Sequence, residues 1–378
     1  MNNGEIIIDL NKLKGNVNKL KNAYKGYDYL FANVKNNFFG MGINSIATLI
    51  HEGINYLYVS TLKEAIEIRK INHDIPILIT FNVDDENIYD VINNNITLTI
   101  SDVDYLKRIN NIKIKDKIKF HILIDNGCNK RGIKSKKELQ EILDIIKKNK
   151  YFLLEGIYTE IETYGLIDTE YYACLNIFYN LIKNIDNKDL IIHLNEPLMY
   201  HKKNKLINGI RFDISLLGIE EHIEDNFMTN MKIKNIDKKY QDLEFPNIDL
   251  DLIFAIKSKI ISFSFAPKKT QVGKNYIVDQ DIKLGIVPIG YKDGITHALK
   301  KVVINKKFYP IISDSIDYMT IEVDNDVKID EDVYIIDNKT DIYKVIDLLK
   351  TNRFYLMSIL NNNLERVYLN EEETKEVL

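Results

Sequence analysis

Lys35 closes the apolar run Tyr29-Leu30-Phe31-Ala32-Asn33-Val34 and is followed at once by Asn36-Asn37-Phe38-Phe39-Gly40-Met41-Gly42. Strand-forming residues that end in a lysine and then a glycine-bearing turn describe a buried strand delivering an amine at its C-terminal end. Burial strips water from an ammonium and lowers its pKa, which frees the lone pair for attack on a carbonyl carbon, above all the aldehyde of pyridoxal phosphate. The same residues also describe a lysine leaving a strand for solvent, and only the surrounding elements separate the two readings.

Other chemistries find little support. None of the seven histidines opens a metal-type spacing: His193 stands alone, and His121 lies on an apolar run as a satisfied core histidine would. Cys128 and Cys174 are far apart, with no CxxC, which argues against a disulfide scaffold or a structural zinc and fits a reduced cytoplasm. Gly40 and Gly42 belong to no G-x-G-x-x-G or G-K-[ST] pattern and read as turn glycines. Lys+Arg 51 against Asp+Glu 55 leaves a net charge of -4, so no global field recruits nucleic acid or an anionic membrane, and a small molecule is the expected partner. The N-terminus has no basic and apolar leader, and no apolar stretch approaches the roughly 18 residues of a membrane span.

The elements that must position Lys35 follow from periodicity. Candidate strands run over Tyr29 to Val34, Tyr56 to Val59, Ile77 to Thr80, Thr97 to Ile100, Phe120 to Ile124, Gly156 to Thr159, Leu190 to Leu194 and Ile210 to Ile214. Amphipathic stretches such as Leu62 to Lys70, Lys137 to Lys148 and Tyr171 to Ile185 lie between them. Eight strand-helix units predict a closed (β/α)8 TIM barrel over residues 11–250, with the active site at the C-terminal ends of the strands, where Lys35 stands. After about residue 220 the pattern turns to alternating β segments. Ile256 to Phe265, Tyr276 to Val278, Ile282 to Ile289, Lys301 to Ile304, Met319 to Val323 and Val333 to Ile336 are the expected strands of a mainly β domain over residues 251–378, with a helix at Ile342 to Lys350. The Ile-rich run Glu5 to Asp9 makes residues 1–10 a candidate addition to that domain.

Barrel, strand-end lysine and β domain together resemble the alanine racemase family, the fold-type III pyridoxal phosphate enzymes, from about Glu5 to Tyr368. Val34-Lys35-Asn36-Asn37-Phe38-Phe39-Gly40-Met41-Gly42 resembles V-K-A-N-A-Y-G-H-G. Ser60-Thr61-Leu62-Lys63-Glu64-Ala65 with Arg69 and Pro76-Ile77-Leu78 resembles A-x-x-E-E-A…L-R…P-I-L, and Asp125-Asn126-Gly127-Cys128-Asn129-Lys130-Arg131-Gly132 resembles D-T-G-M-N-R-L-G. Val287-Pro288-Ile289-Gly290-Tyr291-Lys292-Asp293-Gly294 resembles L-P-I-G-Y-A-D-G, and Arg366-Val367-Tyr368 the arginine-tyrosine ending.

The resemblance implies a pyridoxal 5'-phosphate enzyme that racemises an amino acid, with Lys35 as the Schiff-base lysine and base on one face of Cα. The base on the other face would be a tyrosine from the partner's β domain in a head-to-tail homodimer. It implies Arg211 at the pyridine nitrogen, and Asn195, Ile214 and Tyr355 among the cofactor-binding positions. Lys130 at the family's arginine position, with Arg131 one residue on, and Ile316 and Asp317 in the Asp314-Ser315-Ile316-Asp317-Tyr318 loop are the implied substrate-side positions. The chain also departs from the pattern. Gln271-Val272-Gly273-Lys274-Asn275-Tyr276 puts Val272 where the proton-carrying tyrosine belongs, leaving Tyr276, which matches the motif's second tyrosine, or Lys274 as the nearby group that could supply a proton, with Tyr276 the first choice. Phe39 replaces a tyrosine, Glu160 a ring-stacking histidine, Glu196 a phosphate-binding serine, and Asp213 a neutral residue. Two unit charges about 4 Å apart repel by about 4 kcal/mol at an effective dielectric near 20, so Glu196 and Asp213 must turn away from a phosphate dianion. Loss of the second base would slow racemisation more than one-sided chemistry, and a repurposed homologue that binds another ligand or a protein, or a pyridoxal phosphate decarboxylase or lyase on this fold, stays open at this stage.

Overall fold

The computed structural model describes residues 4–161, 168–186, 188–195, 206–219, 248–274, 276–295, 297–359 and 364–369. Eight parallel strands close a barrel: β2 (Tyr29–Asn33), β3 (Tyr56–Val59), β4 (Ile77–Ile79), β5 (Thr97–Ile100), β6 (Ile118–Ile124), β7 (Phe152–Thr159), β8 (Ile191–Asn195) and β9 (Gly209–Phe212), with β9 returning to β2 through Phe31 opposite Arg211. Every residue of β3, β4, β5 and β9 is buried, because one face fills the barrel and the other meets the helices. Two of those helices start at reciprocal side-chain caps. Thr61 and Glu64 cap Leu62–Arg69, and Ser135 and Glu138 cap Lys136–Lys148, each in the reciprocal arrangement that satisfies two orphan amides.

The expected last barrel strand ends two residues early. Asp213 leaves the extended region at φ -117 and ψ -132, and Ile214–Leu217 form a tight turn that Gly218, at φ 79, brings to a close. Ile214 is thus a turn residue rather than a strand residue.

The second unit is a nine-stranded sheet built around β1 (Glu5–Asp9) and strands from the C-terminal third. β1 pairs antiparallel with β10 (Phe254–Lys259), so the N-terminal run lies in this sheet. The run Ile256 to Phe265 is two strands, not one. β10 pairs with β1 and with β18 (Asp332–Ile336), whereas β11 (Ser262–Ala266) pairs with β14 (Ile282–Val287) at the far edge. The break falls where the Ile260 amide donates to Glu331 and the Ile261 amide to Ile286, so two different partners claim adjacent residues. The hairpin of β12 (Gln271–Val272) and β13 (Tyr276–Ile277) stands apart from the sheet. β15 (Lys301–Ile304), β16 (Lys307–Asp314), β17 (Met319–Val323) and β19 (Glu365–Leu369) complete the sheet, with β19 parallel to β1 at its edge. Periodicity missed β16 because Pro310 interrupts it. Lys339–Leu349 is helical as expected, and a further helix covers Arg353–Ile359. No helix among the described residues is long and apolar enough to cross a membrane.

Candidate functional site

Lys35 leaves the C-terminal end of β2 into a turn of unusual hand. Asn36, Asn37, Phe38 and Phe39 all have φ of 52 or 53, so Lys35–Phe39 opens a left-handed turn held by Phe38 N to Val34 O at 3.0 Å and Gly40 N to Asn36 O at 2.9 Å. Asparagine tolerates this region, but phenylalanine pays about 1–2 kcal/mol for it. Phe38 and Phe39 are buried and so are held in place by packing. At the entry, the Lys35 amide donates to Asn33 Oδ1 at 3.1 Å and the Asn36 amide to Glu64 Oε1 at 2.6 Å, so a helix cap also ties down the lysine turn.

The Lys35 ammonium lies 5.3 Å from the centroid of the Tyr58 ring. Burial lowers its pKa below the ordinary lysine value, Arg211 adds to the lowering, and Glu160, Asp213 and Glu64 oppose it. The ammonium is thus partly withdrawn from water at the strand end, which favours its neutral form relative to an exposed lysine.

Asp213 does not confront an anion site with a free carboxylate. Asn33 Nδ2 donates to its Oδ1, and the Tyr58 hydroxyl donates to Oδ2 at 3.1 Å. Burial, and then Asp213 and Glu160, hold the Tyr58 phenol protonated well above the usual range. Glu196 lies outside the described residues.

Arg211 is buried in the barrel, with a long ion pair to Glu160 at the mouth. Its guanidinium sits 4.6 Å from the Tyr158 centroid, donates through Nη2 to Thr159 O at 3.1 Å, and reaches Glu160 only at 3.8 Å. Its Nε is buried and has no hydrogen-bond partner. An unsatisfied buried donor is costly unless something binds there.

Behind Arg211 runs a hydrogen-bonded chain that sequence reasoning missed. Arg211 Nη1 is 3.3 Å from His193 Nδ1, His193 Nε2 is 2.8 Å from His121 Nδ1, and His121 Nε2 is 3.2 Å from Glu155 Oε2. Arginine can only donate, so His193 Nδ1 accepts; the proton of His193 is then on Nε2 and donated to His121, whose own proton goes to Glu155. Burial lowers both imidazole pKa values, Arg211 lowers that of His193 further, and the neutral tautomers this chain needs are the favoured forms. Glu155 is a bulged residue: the β6–β7 register passes from Phe120 opposite Leu154 to His121 opposite Gly156, which turns the extra carboxylate inward. Gly156 leaves the room, since a Cβ there would lie 2.7 Å from His121 Cε1. The signal in the sequence was a set of polar residues, His121, Glu155, His193 and Arg211, on consecutive strands that are otherwise largely apolar. Among the described residues no group of His, Cys, Asp and Glu is arranged to hold a metal.

The remaining expected residues are placed unevenly. Asn195 at the end of β8 spends its amide on Ile161, accepting from its N at 2.8 Å and donating to its O at 2.9 Å, so its side chain is a backbone clamp. Tyr355 is half exposed, on the helix whose Phe354 ring meets Phe39 at 6.5 Å. Lys130 is exposed, whereas Arg131 folds over the Phe81 ring at 4.3 Å and donates to Thr80 O at 2.7 Å. Tyr276 lies directly across the β12–β13 hairpin from Val272. Ile316 is exposed, and Asp317 accepts from Ser315 Oγ at 3.4 Å. Among the described contacts within one chain, none joins Tyr276, Ile316 or Asp317 to Lys35.

Comparison with known proteins agrees with this fold. Residues 8–205 match the model of the alanine racemase N-terminal domain and residues 253–368 that of the alanine racemase C-terminal domain. The chain is 29% identical over 382 residues to the alanine racemase of Borreliella burgdorferi and 26% identical over 397 residues to that of Staphylococcus epidermidis, in both cases over 97% of either chain. Its fold superposes on alanine racemase from E. faecalis with a TM-score of 0.85 at 22% identity, covering 97% of this chain and 98% of the other. On a histidine racemase from Leuconostoc mesenteroides the TM-score is 0.82 at 19% identity, covering 98% and 99%. A closed barrel with an amine at its first strand end, followed by a β domain, and both domain models matched in order lead to one conclusion: the chain belongs to the alanine racemase family.

Proposed function

We propose that this protein is a pyridoxal 5'-phosphate-dependent amino-acid racemase, with alanine as the first substrate to try because the full-length relatives named above are alanine racemases. The observation that carries the proposal is the pairing of an activated Lys35 amine with a buried, unsatisfied Arg211 Nε. An aldehyde suits the first, and a ring nitrogen that accepts a hydrogen bond suits the second, so the residues present fit this cofactor. Asp213, engaged by Asn33 and Tyr58, is compatible with a nearby phosphate. Tyr355 and the backbone at Ile214 are the groups we assign to holding that phosphate, with Asn195 setting the end of β8 beside them.

Bound there, the cofactor supplies an electron sink for charge developing at Cα. Lys35 takes or returns the Cα proton on one face. Tyr276, across the hairpin from Val272 and by general strand geometry with a Cβ about 5 Å from it, takes the other face in a partner subunit. Ile316, Asp317 and Lys130, with Arg131 beside it, orient the amino acid. A head-to-tail homodimer is part of the proposal, since one chain alone leaves Tyr276 without a role.

Chiral chromatography of alanine incubated with the purified protein and pyridoxal phosphate tests this reading. Racemisation is expected, and Tyr276→Phe should lower its rate by about 10²–10⁴-fold, the usual worth of a positioned proton carrier. Mixed dimers of Lys35→Ala and Tyr276→Phe chains should regain activity that neither parent has, because one of their two sites is intact. Full activity in Tyr276→Phe would remove that residue from the mechanism, and absence of both racemisation and bound cofactor would favour a repurposed homologue.

A further inference from the structure

The turn that carries Lys35 is gripped from the other domain. β19, the edge strand of the nine-stranded sheet, runs parallel to β1 with Arg366 opposite Ile6 and Tyr368 opposite Ile8. From that strand Arg366 Nε donates to Gly40 O at 2.9 Å, and the Tyr368 hydroxyl donates to Met41 O at 2.9 Å. These are the carbonyls at which the left-handed turn ends. The Gly42 amide folds back to Asn37 O at 3.0 Å, and a Cβ at Gly42, which has φ +88, would overlap the Tyr368 hydroxyl. The glycine thus makes room for the tyrosine that reads its neighbour's carbonyl.

Four consecutive residues other than glycine in the left-handed region form a conformation that local preference opposes, and such a turn persists only where its surroundings fix it. Asn33 and Glu64 fix the entry, as described above. Arg366 and Tyr368 fix the exit, from more than three hundred residues away in the chain.

We propose that Arg366 and Tyr368 are positioning residues for Lys35, a latch by which the edge strand of the β domain holds the left-handed turn and so sets how deeply the Lys35 amine is seated in the barrel mouth. The inference rests on Lys35 being the reactive amine. If the latch is lost, the turn relaxes toward ordinary backbone geometry and the amine gains water. The charged and titratable groups that face it, Glu160, Asp213, Arg211, Glu64 and Tyr58, stay where they are, so the change in Lys35 reports its seating and not a change of partners.

The test needs no cofactor, so its outcome is separate from that of the proposed activity. Pulse acetylation with acetic anhydride across neutral to alkaline pH, followed by proteolysis and mass spectrometry, gives the pH at which each lysine is half-maximally labelled. In the unmodified chain the Lys35 midpoint should lie below that of exposed lysines. Tyr368→Phe, which keeps the ring and removes only the donor, should shift it upward, and Arg366→Gln with Tyr368→Phe should shift it further. Arg366→Lys, which keeps one donor for Gly40, should recover part of the shift. Val302→Ala, a buried substitution in β15 away from the turn, serves as a control that lowers the thermal midpoint and should leave Lys35 where it was. An unchanged Lys35 midpoint in both latch variants, or an equal shift in Val302→Ala, would overturn the proposal and reduce the two contacts to glue between domains.

Discussion

A Lys35→Ala protein is expected to fold with a thermal midpoint near that of the parent and to lose racemisation by at least about 10⁴-fold, since a nucleophile and a proton carrier go together. The fold survives because the turn is held through backbone atoms and the side chains of Asn33, Glu64, Arg366 and Tyr368, none of which bonds to the lysine side chain. Removing a partly desolvated ammonium also relieves a burial cost. Lys35→Arg should be as inactive, because a guanidinium stays protonated and cannot attack a carbonyl. Residual activity within a hundredfold of the parent in either variant, measured by chiral chromatography, would mean that another lysine carries the chemistry.

The second large effect belongs to the barrel interior. Glu155 accepts from the Tyr56 hydroxyl at 2.7 Å, the Thr97 hydroxyl at 2.9 Å and His121, and pairs with Lys119 at 2.9 Å. Glu155→Gln keeps the shape and an acceptor for Tyr56, Thr97 and His121, but it removes the charge and turns an amide donor toward the Lys119 ammonium, and it should cost about 3–5 kcal/mol. Acid should act in two stages. Folded His121 and His193 have lowered pKa values, so below about pH 6.5 the unfolded chain binds protons that the folded chain does not. Stability then falls by up to about 1.4 kcal/mol per pH unit for each histidine. Burial by itself would raise the Glu155 pKa, but its bonds from His121, Lys119 and Tyr56 outweigh that and hold it well below the carboxylate range. Its contribution is complete above the ordinary carboxylate value and disappears as pH falls beneath it. Urea midpoints measured from pH 8 downward should show both stages in the parent and only the first in Glu155→Gln. A midpoint flat from pH 8 to 5 would show that the imidazoles are not held neutral.

The barrel was legible because both faces of its strands are buried, so Tyr56 to Val59 and Thr97 to Ile100 read as strands without help from distant contacts. Lys35 was legible for the same reason, as a charge at the end of such a run. The hand of its turn was not: two phenylalanines at positive φ carry no local signal, since they are held by burial and the turn's exit is bonded from a strand that begins at Glu365. His121 read as an ordinary core histidine because its hydrogen-bond partners, Glu155 and His193, sit on two other strands. The break at Ile260 was hidden because no glycine or proline interrupts residues 256–265, and only the identity of the neighbouring strands divides them. Val272 was noticed as a loss, whereas the position of Tyr276 directly opposite it depends on a two-residue register that composition does not reveal. The assignment of Tyr276, Ile316 and Asp317 rests on a second copy of the chain, which a single sequence cannot contain.

Whether Lys35 is the residue that takes the cofactor is decided by one measurement. The purified protein is incubated with pyridoxal 5'-phosphate, reduced with borohydride, digested, and its peptides weighed. The reduced cofactor is expected on the peptide that contains Lys35 and on no other lysine in comparable yield. Label on a different lysine, or none at all, would contradict this expectation.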